Sequence, residues 1–267
     1  MNLIKSKIVE TWAVDVETWP EDNPDTVRQQ MDDVLIVFQS CFGIDALIER
    51  EVIISNGNNA DYPIAYPKRR PENTALPVDY MVYLFETSND PLRFYYQASH
   101  EFSHVLMKCY PDNDCFKWIA ECLCALSTFY VMERIATLHP HMKERIETYL
   151  KTPKERPLKI IETFGTLSKY YSAKMPSLIN DPTEEKSGNQ RPRNNAIALW
   201  LLEIVENNPL GWESILHMDD SLMQLKMEVR PNNQTMKEYF RHWLSNCNAA
   251  NEKRFISDTI KRLGIRI

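Results

Sequence analysis

The sequence predicts an α+β protein in which a small mixed sheet with helices is followed by a mainly helical part. Two observations support this fold class. Runs of β-branched and aromatic residues, which are typical of strands, lie in the N-terminal third, whereas the pattern beyond Arg134 is almost wholly helical. The chain of 267 residues also has only six glycines, which disfavours a turn-rich all-β fold.

The strands are predicted from short runs bounded by turn-forming residues. A helix from Pro24 to Ser40 is expected among them, because its apolar residues recur at helical spacing on one face. The segment from Tyr62 to Tyr66 is expected to be a short edge strand. The other predicted strands are Ile8–Val14, Glu51–Ser55 and Val78–Thr87.

The later part of the chain predicts helices separated by one long connection. The segment Met175–Asn194 has three prolines and several charges, and we expect a loop or a flap there. The helices expected after it are an apolar one from Asn195 to Asn207 and two amphipathic ones, from Thr235 to Cys247 and from Asn251 to Leu263.

A well-defined helix start follows the last predicted strand. Asp90 is a suitable N-cap residue and Pro91 suits the first helical position, so we expect a helix from Leu92 to Lys108. This helix carries the segment from His100 to His104, whose sequence is H-E-F-S-H.

The spacing within this segment predicts a metal site. His100 and His104 are four residues apart and therefore lie on the same face of a helix, where both imidazoles can reach one ion. Glu101 is placed to act on a water at that ion. This is the H-E-x-x-H pattern of zinc peptidases, in which zinc is the Lewis acid and the glutamate is the general base.

A catalytic zinc site usually has three protein ligands and one open position for water. Glu121 is the best candidate for the third ligand. A turn at residues 110–114 is expected to join two antiparallel helices. His104 then lies about four residues before the end of the first helix, and Glu121 about six after the start of the second. At 1.5 Å rise per residue the two differ in height by roughly 3 Å.

Together, the H-E-x-x-H segment and the W-x-x-E stretch from Trp118 to Glu121 resemble the gluzincin clan of metallopeptidases. The resemblance covers about residues 78–135. It implies a zincin-like catalytic lobe with His100, His104 and Glu121 as zinc ligands and Glu101 as general base. In zincins an edge strand pairs with an extended substrate, which here would be the strand from Tyr62 to Tyr66.

The sequence departs from the gluzincin pattern in three places. The separation of His104 from Glu121 is a little shorter than in most members. The acidic residue often found one turn after the glutamate ligand falls at Ala125, and the motif that grips a substrate amino terminus in aminopeptidases has no counterpart. Gluzincins stabilise the oxyanion with a tyrosine or histidine well downstream. The candidates are Tyr170 and Tyr171, which we favour because they precede the long connection, together with His217 and His242.

Composition limits the partners and the location of the protein. A net charge of −6 gives no basic surface for nucleic acid. No apolar stretch approaches the length of a membrane span, and the first residues lack the apolar core of a signal peptide, so a cytoplasmic protein is expected. The six cysteines form no regular framework, and reduced, mostly buried thiols are expected.

The sequence therefore predicts a catalytic lobe over residues 1–138 and a helical lobe over residues 139–267 that closes the cleft. The expected function is a Zn²⁺-dependent peptidase acting on a peptide or protein substrate. Two alternatives remain: a catalytically silent protein of zincin fold that retains zinc for binding or regulation, and a chance motif without metal.

Overall fold

A small sheet and a larger set of helices form the regular structure of the chain. The computed structural model describes residues 2–19, 23–57, 63–67, 79–85, 90–108, 117–162, 191–221, 236–265 and 267. Over these residues the protein is mixed α+β, which confirms the predicted class. The strands are β1 (Leu3–Lys5), β2 (Trp12–Asp15), β3 (Val52–Asn56), β4 (Ile64–Pro67) and β5 (Tyr80–Leu84).

The described helices are given in the order of the chain, and the described residues also form three 3-10 segments. The helices are α1 (Pro24–Phe42), α2 (Asp45–Ile48), α3 (Pro91–Met107), α4 (Lys117–Leu138), α5 (Lys143–Glu162), α6 (Arg191–Asn207), α7 (Met236–Asn246) and α8 (Ala250–Arg262). The 3-10 segments are Val16–Thr18, Pro140–Met142 and Pro209–His217.

Contacts between α-carbons divide the chain into two compact units. The first unit comprises Met1–Leu106 and Ser127–Ile146, and the second comprises Met107–Leu126 and Glu147–Ile267. The sheet lies in the first unit, and helices α6 to α8 lie in the second. The assignment of a catalytic lobe to residues 1–138 and of a closing lobe to residues 139–267 stays a prediction.

The sheet has a parallel centre and antiparallel edges. Its strand order is β1-β2-β3-β5-β4, in which β2, β3 and β5 run parallel and both outer strands run antiparallel to their neighbours. Every residue of β3 is buried, as expected for a central strand covered on both faces. Strand β4 is the predicted edge strand, and it pairs with β5 from Ile64 opposite Tyr83 to Pro67 opposite Tyr80.

Two strands of the first unit differ from the sequence prediction. Strand β2 begins at Trp12, not at Ile8, because the Ser6 hydroxyl accepts the backbone N–H groups of Ile8 and Val9 at 3.0 Å each. Those bonds hold the chain in a turn. Strand β1 was not predicted, because its three residues form no apolar run and none of them is buried.

In the second unit, helix α6 begins four residues before the predicted start at Asn195. Pro192 is accommodated because a proline in the first helical turn removes no intrahelical hydrogen bond. The buried Arg193 donates to the side chain of Asn194 at 3.1 Å within this turn. The predicted connection Met175–Asn194 therefore ends in helix, and its residues up to 190 lie outside the described part of the chain.

A buried carboxylate on α1 links this helix to α3 and to the residue that follows α4. The Asp33 carboxylate accepts the Tyr95 hydroxyl at 2.7 Å and lies 2.9 Å from Nε2 of His139. Gln29 also donates to this carboxylate at 3.0 Å. Burial, and after it the hydrogen bond to Asp33, raises the pKa of Tyr95 above its usual value, so the phenol stays protonated and donates.

Replacing Tyr95 with phenylalanine is expected to lower the free energy of unfolding by about 1.5 to 3 kcal/mol. The substitution removes a hydrogen bond to a buried charged acceptor but keeps the ring in place. Urea denaturation followed by circular dichroism measures the loss. The same change in a D33A background serves as the control, and equal losses in both backgrounds contradict a special role of Asp33.

Candidate metal site

Helix α3 begins where the sequence predicts. Oδ1 of Asp90 accepts the backbone N–H of Leu92 at 3.1 Å, and Pro91 occupies the first helical position. The side chain therefore satisfies one of the backbone donors that a helix start leaves without a helical partner. This cap sets the helix so that the H-E-x-x-H segment occupies its third and fourth turns.

One face of α3 is held by aromatic packing in the core of the first unit. The ring of Phe102 meets that of Trp12 edge to face, with 4.8 Å between centroids, and also lies 6.4 Å from Phe38. Phe102 follows His100 by two residues, so the two side chains point about 200° apart around the helix. The packing of Phe102 therefore directs the histidines to the opposite side of α3.

The structure brings the two predicted histidine ligands together. The ring centroids of His100 and His104 lie 5.1 Å apart, and one ring nitrogen of each lies within 4.8 Å of the other. His104 is 7% exposed and His100 is half-buried. Two imidazoles at this spacing on adjacent turns can converge on one ion with modest rotation of their rings.

Glu101 lies in the same buried region of α3. Glu101 is only 6% exposed. A glutamate is rarely buried to this degree without a functional or structural partner. A carboxylate that directly follows the first histidine of an H-E-x-x-H segment has the chemistry of a general base for a metal-held water. The residue types and their burial therefore fit a catalytic zinc site.

Gln97 belongs to the same stripe of α3 and was not identified from the sequence. It lies one turn before Glu101, it is buried, and its Oε1 accepts the backbone N–H of Phe85 at 2.9 Å. Phe85 directly follows β5, whose neighbour is the edge strand β4. This hydrogen bond ties the histidine-bearing part of α3 to the end of the sheet that β4 borders.

Small polar residues behind the motif allow a second helical segment to approach α3. Ser127 donates to the carbonyl of Ser99 at 3.1 Å, and Ser103 donates to the same carbonyl at 2.9 Å. All three serines are fully buried. Their short side chains bring the part of α4 that belongs to the first unit close to the backbone of α3.

The remaining predicted site residues lie elsewhere in the chain. Glu121 is half-buried on α4, in the part of that helix that belongs to the second unit. Ala125, at the position where gluzincins often have an acidic residue, is buried. Tyr170 and Tyr171 lie outside the described residues, so their assignment to the oxyanion remains an expectation from the sequence.

The described cysteines do not resemble activated nucleophiles. Burial raises the pKa of the Cys122 thiol, which donates to Oδ1 of Asn194 at 3.8 Å, and burial likewise raises the pKa of Cys41. A thiol that stays protonated is a poor nucleophile. Cys41, Cys122, Cys124 and Cys247 are all buried and reduced, as expected from the sequence.

Comparisons with protein-family models, with curated proteins and with solved structures found no match. Support for a function therefore comes from the residues of α3 and from the chemistry that they allow. Among the described helices, none combines the length and the apolar character that crossing a bilayer requires.

Proposed function

We propose that the protein is a zinc-dependent peptidase. The observation that supports this most is the arrangement on α3: His100 and His104 have ring nitrogens within 4.8 Å of each other, and the residue directly after His100 is the buried Glu101. Two nitrogen ligands with an adjacent carboxylate are the core of a hydrolytic zinc site. The anchored opposite face of the helix supports the same conclusion, because catalysis needs ligands held on a rigid element.

His100 and His104 would hold the ion, which, when bound, lowers the pKa of a water and polarises the substrate carbonyl. Glu101 accepts the proton of the attacking water and then delivers it to the departing amine. Tyr170 or Tyr171 is proposed to donate a hydrogen bond to the oxyanion.

Helix α4 supplies the proposed third ligand, Glu121. Cys124 is the alternative, because it follows Glu121 by three residues, lies on the same face of α4 and offers a thiolate, which zinc also accepts. Glu121 remains our choice, since the combination of two histidines and one glutamate is common in zinc peptidases.

The edge strand β4 supports a peptide as the substrate. It is the outer strand beside β5, and Gln97 ties the end of β5 to the helix with the histidines. An extended peptide is proposed to add to β4 through backbone hydrogen bonds, as in other cases of strand addition. Pro67 limits the number of those bonds, because it has no N–H to donate.

Metal analysis combined with a peptide-library digest tests the proposed function. The purified chain is expected to contain zinc and to cleave peptides, to lose cleavage after treatment with a chelator, and to regain it when zinc is returned. Mass spectrometry of the digest identifies the cleaved bonds. A chain that is free of zinc and does not take up added zinc contradicts the proposal.

One observation favours a second candidate, a silent zincin-fold protein that retains zinc for binding or regulation. The residue one turn after Glu121 is the buried Ala125, so the acidic group that often orients a histidine in gluzincins is missing. Stoichiometric zinc without cleavage in the digest would favour this candidate over the peptidase.

A further inference from the structure

A second group of potential metal ligands lies in the second unit, and the H-E-x-x-H segment takes no part in it. His217 ends the 3-10 segment, Cys247 directly follows α7, and Glu252 lies in the first turn of α8. One ring nitrogen of His217, Sγ of Cys247 and one carboxylate oxygen of Glu252 all lie within 4.8 Å of one another. The residues are distant in the sequence, so only the fold brings them together.

The chemistry of this group matches zinc. A thiolate, an imidazole and a carboxylate are the three side-chain donors of zinc sites, and a soft sulfur ligand disfavours magnesium and calcium. Cys247 is 0% exposed and Glu252 is 5% exposed, whereas the His217 side chain is 29% exposed. Two of the donors are therefore buried, and the partly exposed histidine gives a zinc ion a route from solvent.

The separation of two of the donor atoms supports a shared ion. Nε2 of His217 lies 3.4 Å from Oε1 of Glu252, which is longer than the usual 2.7–3.2 Å of an N–H···O hydrogen bond. Two ligands each about 2.1 Å from a zinc ion at the tetrahedral angle lie roughly 3.4 Å apart. The pair has the spacing of two zinc ligands before any movement of the side chains.

Glu252 is already held in position by its other oxygen. Oε2 accepts the backbone N–H groups of Ala249 at 2.9 Å and of Asn248 at 3.0 Å, and so caps the start of α8. Oε1 is directed to His217. One carboxylate can therefore cap the helix and bind an ion at the same time, which is how a ligand is oriented in many metal sites.

The surrounding contacts hold the three elements together. Trp243 of α7 donates to the carbonyl of Ser214 at 2.7 Å, and Asn208 donates to the carbonyl of Asn251 at 2.8 Å. A β-carbon at Gly211 would lie 2.6 Å from that same Asn251 carbonyl, so only glycine permits this close approach. The 3-10 segment is thus packed firmly against the start of α8.

A further carboxyl group is electrostatically coupled to these residues. Glu213 precedes His217 by four residues and is half-buried. Burial and, after it, the Glu252 carboxylate raise the pKa of Glu213, whereas His217 lowers it. Glu213 thus interacts with two of the three residues of the group.

We propose that His217, Cys247 and Glu252 form a structural zinc site that ties the 3-10 segment Pro209–His217 to the junction of α7 and α8. Zinc bound there stabilises the second unit, because the ion binds the folded arrangement and the unfolded chain separates its ligands. The site is independent of the proposed peptidase centre, since no ligand is shared.

Zinc titration of the full chain in reducing buffer tests this proposal. The double variant H100A/H104A, which lacks the first pair of histidines, is stripped with a chelator and titrated with zinc alone. It is expected to bind one ion per chain, and zinc about 100-fold above the dissociation constant is expected to raise Tm by roughly 5 to 10 °C. Adding C247S to the double variant should weaken binding by at least about 100-fold and abolish the rise in Tm.

Controls separate this site from the first one and from misfolding. C41S in the same double variant also changes a buried cysteine and should keep the zinc-induced rise in Tm. H217A, whose partly exposed side chain makes unfolding less of a concern, should lose zinc as C247S does. The proposal is overturned if the double variant does not bind zinc. It is also overturned if zinc binding persists when C247S and when H217A is added to the double variant. If the peptidase proposal fails and this one holds, the unmodified chain binds one zinc ion, at the same site as the double variant.

Discussion

Replacing Glu101 with glutamine is expected to lower kcat for peptide hydrolysis by at least about 100-fold while the zinc content stays unchanged. Glutamine has nearly the same shape as glutamate but cannot accept the proton of the attacking water, and general acid–base catalysis contributes typically 10²- to 10⁴-fold. Because Glu101 is only 6% exposed, bulk water has little access to the site and cannot readily accept the proton in place of the missing base.

The measurement is the initial rate on any peptide that the parent chain cleaves, with zinc determined on the same preparation. E206Q is a matched control, because Glu206 is exposed on α6 and outside the proposed site, and its rate should equal that of the parent. Full hydrolysis by E101Q would remove Glu101 from the mechanism and leave only the metal-site part of the proposal.

Replacing His104 with alanine is expected to weaken zinc binding at the first site by at least about 100-fold and to abolish turnover. Losing a residue that merely orients a zinc ligand costs about 10- to 100-fold in affinity, so losing a direct ligand costs more. His104 is 7% exposed, and alanine leaves no donor in its place. Competition with a chelator of known affinity measures the loss, in a C247S background that removes the other proposed site.

Three further variants in that background define the ligand set. H141A is the control, because His141 is an exposed histidine in the 3-10 segment after α4, and its zinc affinity should not change. E121Q should weaken zinc binding as H104A does, whereas C124S should leave it nearly unchanged. The reverse result for the last two variants would move the third ligand from Glu121 to Cys124.

Local signals in the sequence account for the elements that were predicted correctly. Asp90 and Pro91 mark the start of α3 because capping depends on residues within one helical turn. The period of the apolar residues places α1, α7 and α8 to within about two residues. The spacing of His100 and His104 also follows from helix geometry alone, so their proximity could be predicted without any tertiary contact.

Other features depend on contacts between residues far apart in the chain. Strand β2 starts late because the Ser6 hydroxyl holds the turn before it, and periodicity does not report such a bond. Gln97 is chemically unremarkable in the sequence, and its role depends on its hydrogen bond to Phe85 at the end of β5. The burial of Glu101 likewise results from packing around α3.

The mixed fold class and the proximity of His100 and His104 can be predicted from the chain alone, because helical periodicity and capping act over a few residues. The strand order, the link from Gln97 to the sheet, and the meeting of His217, Cys247 and Glu252 become visible only in the folded protein. These arrangements arise from long-range packing of apolar faces, whose outcome no local pattern encodes.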